Sequence, residues 1–143
     1  MAIEVRVLRP GDEAVLQNIA LNVFDNPVIP GLIVEFLHDD RHHIAVALDE
    51  DVVVGFASGV SYIHPDKPLE LWINEVGIAP SHRRQGIGKR VIQALFEAGR
   101  VAGCHEAWVL TDRSNTAAIQ LYKSISGTEA PDATTMYSFA LDT

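Results

Sequence analysis

Apolar and polar residues alternate near the start of the chain. Ile3, Val5 and Val7 fall on one face and Glu4 and Arg6 on the other, the pattern of a half-buried strand over residues 2–8. Pro10-Gly11-Asp12 then opens a different spacing, with Val15, Leu16, Ile19, Val23 and Phe24 recurring at helical intervals until Asn26-Pro27. A second, short helix is expected over 31–39, with Ile33, Phe36 and Leu37 as its apolar side. Residues 44–48 and 52–62 predict two strands joined by the acidic turn Asp49-Glu50-Asp51, a hairpin. After a loop at 64–68, residues 69–79 predict a strand carrying Leu71, Ile73, Val76 and Ile78, which Pro80 ends. Residues 86–103 read as the longest helix, with Ile87, Val91, Leu95 and Ala98 or Ala102 as its buried stripe. A strand at 107–111, a helix at 115–124 and a final strand near 135–141 complete the pattern. The order β-α-α-β-β-β-α-β-α-β predicts the α/β class: one mixed sheet with helices on its faces.

Proline and glycine are spread singly, with no repeat or linker, so one domain over 1–143 is expected. A chain of 143 residues buries about two-thirds of its unfolded surface and needs no covalent staple. Its single cysteine, Cys104, excludes a disulfide scaffold and a cysteine-based zinc site. Eleven Lys and Arg against nineteen Asp and Glu leave a net charge of −8, which argues against a general nucleic-acid or anionic-membrane partner. Glu4 and Arg6 occupy positions where a signal peptide needs apolar residues, and no apolar run approaches the roughly 18 residues of a membrane span. A soluble, cytoplasmic protein is expected.

The distribution of charge is more informative than its sum. Arg83, Arg84, Lys89 and Arg90 share one eight-residue window, and no Asp or Glu lies between Glu75 and Glu97. This local positive site coincides with a strand-to-helix junction, Pro80-Ser81-His82-Arg83-Arg84-Gln85-Gly86-Ile87-Gly88. Glycine permits close backbone approach, and the first amides of a helix lack internal acceptors, so the junction is a ready anion site with phosphate as its usual guest. A Walker loop is excluded, because Gly88-Lys89 is followed by Arg90 with no glycine five residues before Gly88. A dinucleotide fingerprint is excluded too, because position 91 is valine.

The run from Arg83 to Gly88 resembles the Arg/Gln-x-x-Gly-x-Gly/Ala signature of the GCN5-related N-acetyltransferase (GNAT) family, which binds acetyl-coenzyme A. Asn74-Glu75-Val76-Gly77-Ile78-Ala79-Pro80 before it and Asn115-x-x-Ala118-x-x-Leu121-Tyr122 after it extend the resemblance over essentially the whole chain. The family fold so implied is a mixed, mostly antiparallel central sheet flanked by helices. The stretch from about Ile44 to Leu121 is similar to the aminoglycoside 3-N-acetyltransferase branch. The resemblance implies that the amides of Gln85, Gly86, Ile87, Gly88 and Lys89 hold the coenzyme's pyrophosphate, with Arg83, Arg84 and Lys89 adding charge. It implies that the backbone of Val76, Gly77 and Ile78 pairs with the pantetheine arm as an added strand does, and that Asn115 bonds the same arm. The reaction so implied is acyl transfer by direct attack of a neutral amine.

Such a reaction needs a group to take the amine's proton and an acid for the departing thiolate. Tyr122, a phenol protonated at neutral pH, is the candidate acid: its periodicity alone reads as a core residue beside Ile119 and Leu121, but its place in the family motif that begins at Asn115 implies a position near the thioester sulfur. Glu75, flanked by Ile73 and Val76, is the candidate base or amine-orienting carboxylate. Strand alternation puts it on the face of Ile73 and Gly77, opposite Asn74 and Val76. Glu70 and the pair Asp39/Asp40 are weaker candidates for attracting a cation. Cys104, beside Gly103, reads as an incidental thiol. His38, His42, His43, His64, His82 and His105 form no zinc-type spacing, so no metal is expected. His82 reads as an exposed turn residue next to the phosphate loop, and Trp72 and Trp108 as core.

The family's usual glycine-aromatic pair after the tyrosine is absent: Ser126 stands at the glycine position and Gly127 follows. This predicts a reshaped loop beside the acceptor pocket. The leading expectation is an acetyl-coenzyme A-dependent N-acetyltransferase acting on a primary amine of a small, aminoglycoside- or polyamine-like cation, since an acidic protein attracts cations. A protein N-terminal or lysine acetyltransferase, a non-catalytic acyl-coenzyme A sensor, and a nucleotide binder of another fold are the alternatives. Nucleic acid and membrane are not expected partners, and a homodimer is left open.

Overall fold

The structure, a computed structural model, describes residues 2–142. These form two compact units that divide between Asp112 and Arg113.

The first unit is built on one five-stranded sheet in the order β1-β2-β3-β4-β5. The strands are β1 (Glu4–Val7), β2 (His42–Asp49), β3 (Val52–His64), β4 (Lys67–Ile78) and β5 (Glu106–Val109). β1 through β4 pair antiparallel and β5 joins β4 in parallel. The expected class and the mostly antiparallel sheet are observed. β2 and β3 are nearly continuous runs of buried residues because both of their faces are covered. Helix α2 (Ile87–Ala102) lies across β1 to β4 on one face. Its stripe of Ile87, Val91, Ile92 and Leu95 is at most 2% exposed, each side chain contributing about 1.5–3 kcal/mol by leaving water. The stripe also includes Gly99, packed on Leu71, whereas Ala102 is exposed. Helix α1 (Pro30–His38) and a 3-10 turn at Glu13–Gln17 cover part of the opposite face with Ile33, Leu37 and Leu16.

The predicted helix from Pro10 to Asn26 is corrected. Only Glu13–Gln17 is helical, as that 3-10 turn, and residues 18–29 are an ordered loop. The loop's backbone groups bond to β3 instead of to one another: Val53 N donates to Asn18 O and Ala20 N to Val53 O, both at 2.9 Å. Its apolar residues are spent on the sheet as well. Val23 is 4% exposed, and the Phe24 ring stacks on Phe56 at 3.9 Å. Helical spacing marked the right residues for burial, but burial against a sheet does not require a helix. The predicted loop at 64–68 shortens to a tight turn at Pro65-Asp66, since β4 begins at Lys67.

In the second unit, α3 (Thr116–Ser124) begins at Asn115, whose Oδ1 accepts the Ala118 amide at 3.1 Å. It ends with Gly127 N donating to Tyr122 O (2.9 Å) and Ser126 N to Lys123 O (3.0 Å), with Ser126 left-handed at φ 69°. This is a Schellman termination in which serine takes the position that favours glycine. The expected strand near 135–141 is a second correction: residues 125–142 contain no regular element. Alternation at Tyr137, Phe139 and Leu141 marks a capacity for strand, but a strand exists only where another segment supplies its hydrogen bonds.

Candidate functional site

Two features of the first unit converge at the C-terminal half of β4. The first is the strand itself. β5 pairs with β4 only from Glu70 to Ile73, so among the described residues no strand covers that edge from Asn74 to Ile78. β3 holds the other edge, with Gly55 opposite Ile78, Phe56 opposite Gly77 and Ala57 opposite Val76. Val76, Gly77 and Ile78 therefore present backbone groups on one side only, the arrangement that accepts an added strand.

Between Ile73 and Glu75 the register slips. Gly59 opposes Ile73 while Ser58 opposes Glu75, which leaves Asn74 as an extra residue, a β-bulge. Neighbours on β3 point to opposite faces, and paired residues share a face. Glu75 consequently lies with Ser58, Phe56 and Gly77, opposite Ile73. This corrects the alternation that placed Glu75 with Ile73. The bulge turns the carboxylate away from α2 toward the loop 18–29 and α1.

There Glu75 and Ser58 sit in a cleft of about 330 Å³, continuous with a larger one of about 640 Å³ through shared walls at Phe24, Asp25 and Ile33. Solvent reaches Glu75, but the atoms packed around it and then the nearby Asp25 carboxylate raise its pKa above the ordinary value. Gly77 has its own reason for lacking a side chain: a Cβ there would collide with the Val23 carbonyl and the Phe56 ring. The close crossing of loop over strand that shapes the cleft depends on it.

The second feature is the start of α2. Gly86 is left-handed at φ 76° and Arg84, a non-glycine, at φ 64°. Space around Gly86 is open, so its backbone angle alone favours glycine. The first helical bond runs from Arg90 N to Gly86 O (3.2 Å), leaving the amides of Ile87, Gly88 and Lys89 without an acceptor inside the helix, and no side chain caps it. Left-handed residues among right-handed ones turn successive amides into one concavity, a form that binds anions. Gln85 is exposed, as are Arg83, Arg84 and Lys89, and among the described residues none of these three cations pairs with a carboxylate. The fourth cation of the cluster is engaged elsewhere: Arg90 Nη2 donates to Ile3 O at 2.9 Å.

His82 is more than an exposed turn residue. Its Nε2 donates to Asp49 Oδ2 at 2.7 Å and its Nδ1 shares a hydrogen bond with Ser81 Oγ at 2.7 Å, in a half-buried setting. This chain ties the approach to α2 onto the end of β2. Sequence reasoning missed that tie, and missed Asp25, Ser58 and the loop walls; the polar interruptions Asn18, Asn22, Asp25 and Asn26 in the helical stripe were the available signal.

Asn115 and Tyr122 belong to the second unit. The Asn115 amide oxygen is used at the helix start, while its Nδ2 makes no hydrogen bond among the described residues. The Tyr122 phenol is half-buried, which pushes its pKa above the ordinary value and keeps it protonated. Cys104 is partly buried and its thiol likewise shifts upward, against nucleophilic use. Trp72 and Trp108 stack at 4.9 Å across the β4–β5 pair.

An open strand edge beside a helix start with three uncapped amides is an arrangement chemically suited to a phosphate-bearing ligand with an extended arm. Known structures share the architecture. An aminoglycoside acetyltransferase, HMB0005, from an uncultured soil metagenomic sample matches with a TM-score of 0.78 at 22% identity over 97% of this chain and 100% of that one. AAC(6')-Iy, solved with a bisubstrate analog, matches with a TM-score of 0.79 at 18% identity over 98% and 100%. At these identities the likeness is one of fold. The model of the Acetyltransferase (GNAT) family matches residues 16–127, and the chain belongs to that family. The N-alpha-acetyltransferase RimI of Mycobacterium tuberculosis is 31% identical over 105 residues, 73% of this chain and 64% of that protein. No helix among the described residues is long and apolar enough to cross a membrane.

Proposed function

We propose that the protein transfers the acetyl group of acetyl-coenzyme A to a primary amine of a small cationic molecule. The observation that supports this best is the start of α2, where three amides without helical acceptors and three uncompensated cations adjoin the open edge of β4. A diphosphate on the amides of Ile87, Gly88 and Lys89 would let an extended arm run along Val76, Gly77 and Ile78. The coenzyme brings an activated acyl group; this chain's residues orient the amine and handle protons. Glu75 takes the proton of the attacking amine, directly or through water, and its upward-shifted pKa brings it nearer to working pH. Tyr122 is the group proposed to protonate the departing thiolate, and Asn115 Nδ2 to bond the arm. Metal enters no step. The similarity to RimI supports a second reading, in which the acceptor is a peptide N-terminal amine.

The coenzyme site is tested by calorimetric titration of Arg84→Glu/Lys89→Glu with acetyl-coenzyme A. Reversing two charges beside a diphosphate lowers affinity at least about thirty-fold at low salt and less at high salt. Unchanged affinity at low salt overturns the assignment.

A further inference from the structure

The cleft in front of Glu75 has a composition that narrows the acceptor, and the argument rests on the function proposed above. No Lys, Arg or His lines either part of the cleft. Three carboxylates do, but Glu13 is engaged: it accepts the Gly11 amide at 3.2 Å and lies 3.3 Å from His38 Nε2. Asp25 and Glu75 have no hydrogen-bond or ion-pair partner among the described residues. The part of the cleft around Glu75 thus offers a cationic nitrogen two unpartnered carboxylates, Asp25 and Glu75, while Glu13 lines only the larger part.

Apart from Asn26 and Ser58, the remaining wall around Glu75 is apolar. Phe24 is fixed from behind by Phe56, Ile33 and Phe36 come from α1, and Ile29 and Leu32 form the rim. Ile29 and Leu32 are each 57% exposed, although they are large and aliphatic. A polycation seated around Glu75 finds no carboxylate there beyond this pair, so its further ammonium groups lie beside hydrocarbon and gain no pairing. An amine whose body is hydrocarbon pairs its one charge with the carboxylates and covers the exposed rim.

We infer that the acceptor is a small monoamine, one primary ammonium on an apolar body of aliphatic-chain or single-ring size, held by Asp25 and Glu75 at the charge and by Phe24, Ile33, Phe36 and Leu32 along the body. In the reaction the neutral amine nitrogen bonds to the acyl carbon, the carbon–sulfur bond breaks, and the nitrogen's proton leaves through Glu75. An N-acetyl amide and the free thiol result.

The test measures thiol release with propylamine, butylamine, hexylamine, phenethylamine, spermidine, an aminoglycoside and an Ala-initiated hexapeptide, alongside calorimetric binding of acetyl-coenzyme A. Along the linear amines kcat/KM rises about four-fold per added methylene (about 0.8 kcal/mol) until the cleft is full, and phenethylamine exceeds spermidine and the aminoglycoside. Leu32→Glu, an exposed site where folding is not at risk, lowers the phenethylamine-to-propylamine ratio at least ten-fold. A preference for spermidine, the aminoglycoside or the peptide, or a flat methylene series, overturns the inference while leaving an acetyltransferase. Coenzyme binding with no thiol released by any amine overturns both.

Discussion

Arg84 holds a left-handed backbone at φ 64°, and its side chain is exposed without a carboxylate partner. A side chain costs about 1–2 kcal/mol in that region, and glycine does not incur it. Glycine also loosens the unfolded chain by about 0.4–1 kcal/mol, so Arg84→Gly is expected to stabilise the free protein by about 0.5–1 kcal/mol. For a chain of this length that raises Tm by about 2–4 °C. The same change removes a cation from the phosphate loop. An exposed charge-assisted contact is worth about 1 kcal/mol, so coenzyme Kd rises about five-fold at low salt and less as salt is added. Thermal unfolding with and without coenzyme reads both effects, which have opposite signs. Ser126→Gly is the control: at φ 69° it stabilises by a similar amount with no effect on coenzyme affinity. A lower Tm for Arg84→Gly would refute the strain argument, and an unchanged Kd would remove the side chain from the phosphates.

Gly77→Ala forces the loop carrying Val23 away from β4; a loss of about 1–3 kcal/mol in denaturant unfolding together with a raised amine KM is expected, whereas a neutral substitution would show that the loop yields freely. With Glu75 as the proposed base, its upward-shifted pKa is expected to move the acidic limb of kcat/KM to higher pH than an unperturbed carboxylate would give; Asp25→Asn then moves the limb to lower pH and Glu75→Gln flattens it, as a pH–rate profile would report. The same sign means that Glu75 adds stability below its unfolded pKa and loses it as pH rises through the folded value, so Glu75→Gln does not destabilise the free protein at neutral pH. Tyr122→Phe lowers kcat about ten- to hundred-fold with little change in coenzyme Kd; equal losses in both would indicate packing instead. His82→Ala frees the loop before α2 and leaves the half-buried Asp49 carboxylate without its donor, costing about 1.5–3 kcal/mol of stability and raising coenzyme KM more than it lowers kcat.

Local signals in the chain were sufficient for much of this protein. Strand alternation, the hairpin turn at Asp49-Glu50-Asp51 and the amphipathic stripe from Ile87 to Leu95 each express an interaction between near neighbours, and the sheet and α2 follow from them. The glycine and cation cluster between Arg83 and Lys89 was legible for the same reason, since a helix start creates its own unfilled amides. Interactions between distant segments were not legible. Residues 18–29 carry a helical stripe yet bond to Val53 and stack on Phe56, because β3 offers acceptors and a flat apolar face that an isolated segment cannot anticipate. The alternation at 135–141 meets no strand partner. The facing of Glu75 was decided by one extra residue in β4, a register slip that exists only relative to β3. Chain-local periodicity therefore determined which residues are buried and where an anion can sit. Pairing between strands decided which carboxylate faces the cleft and what surrounds it.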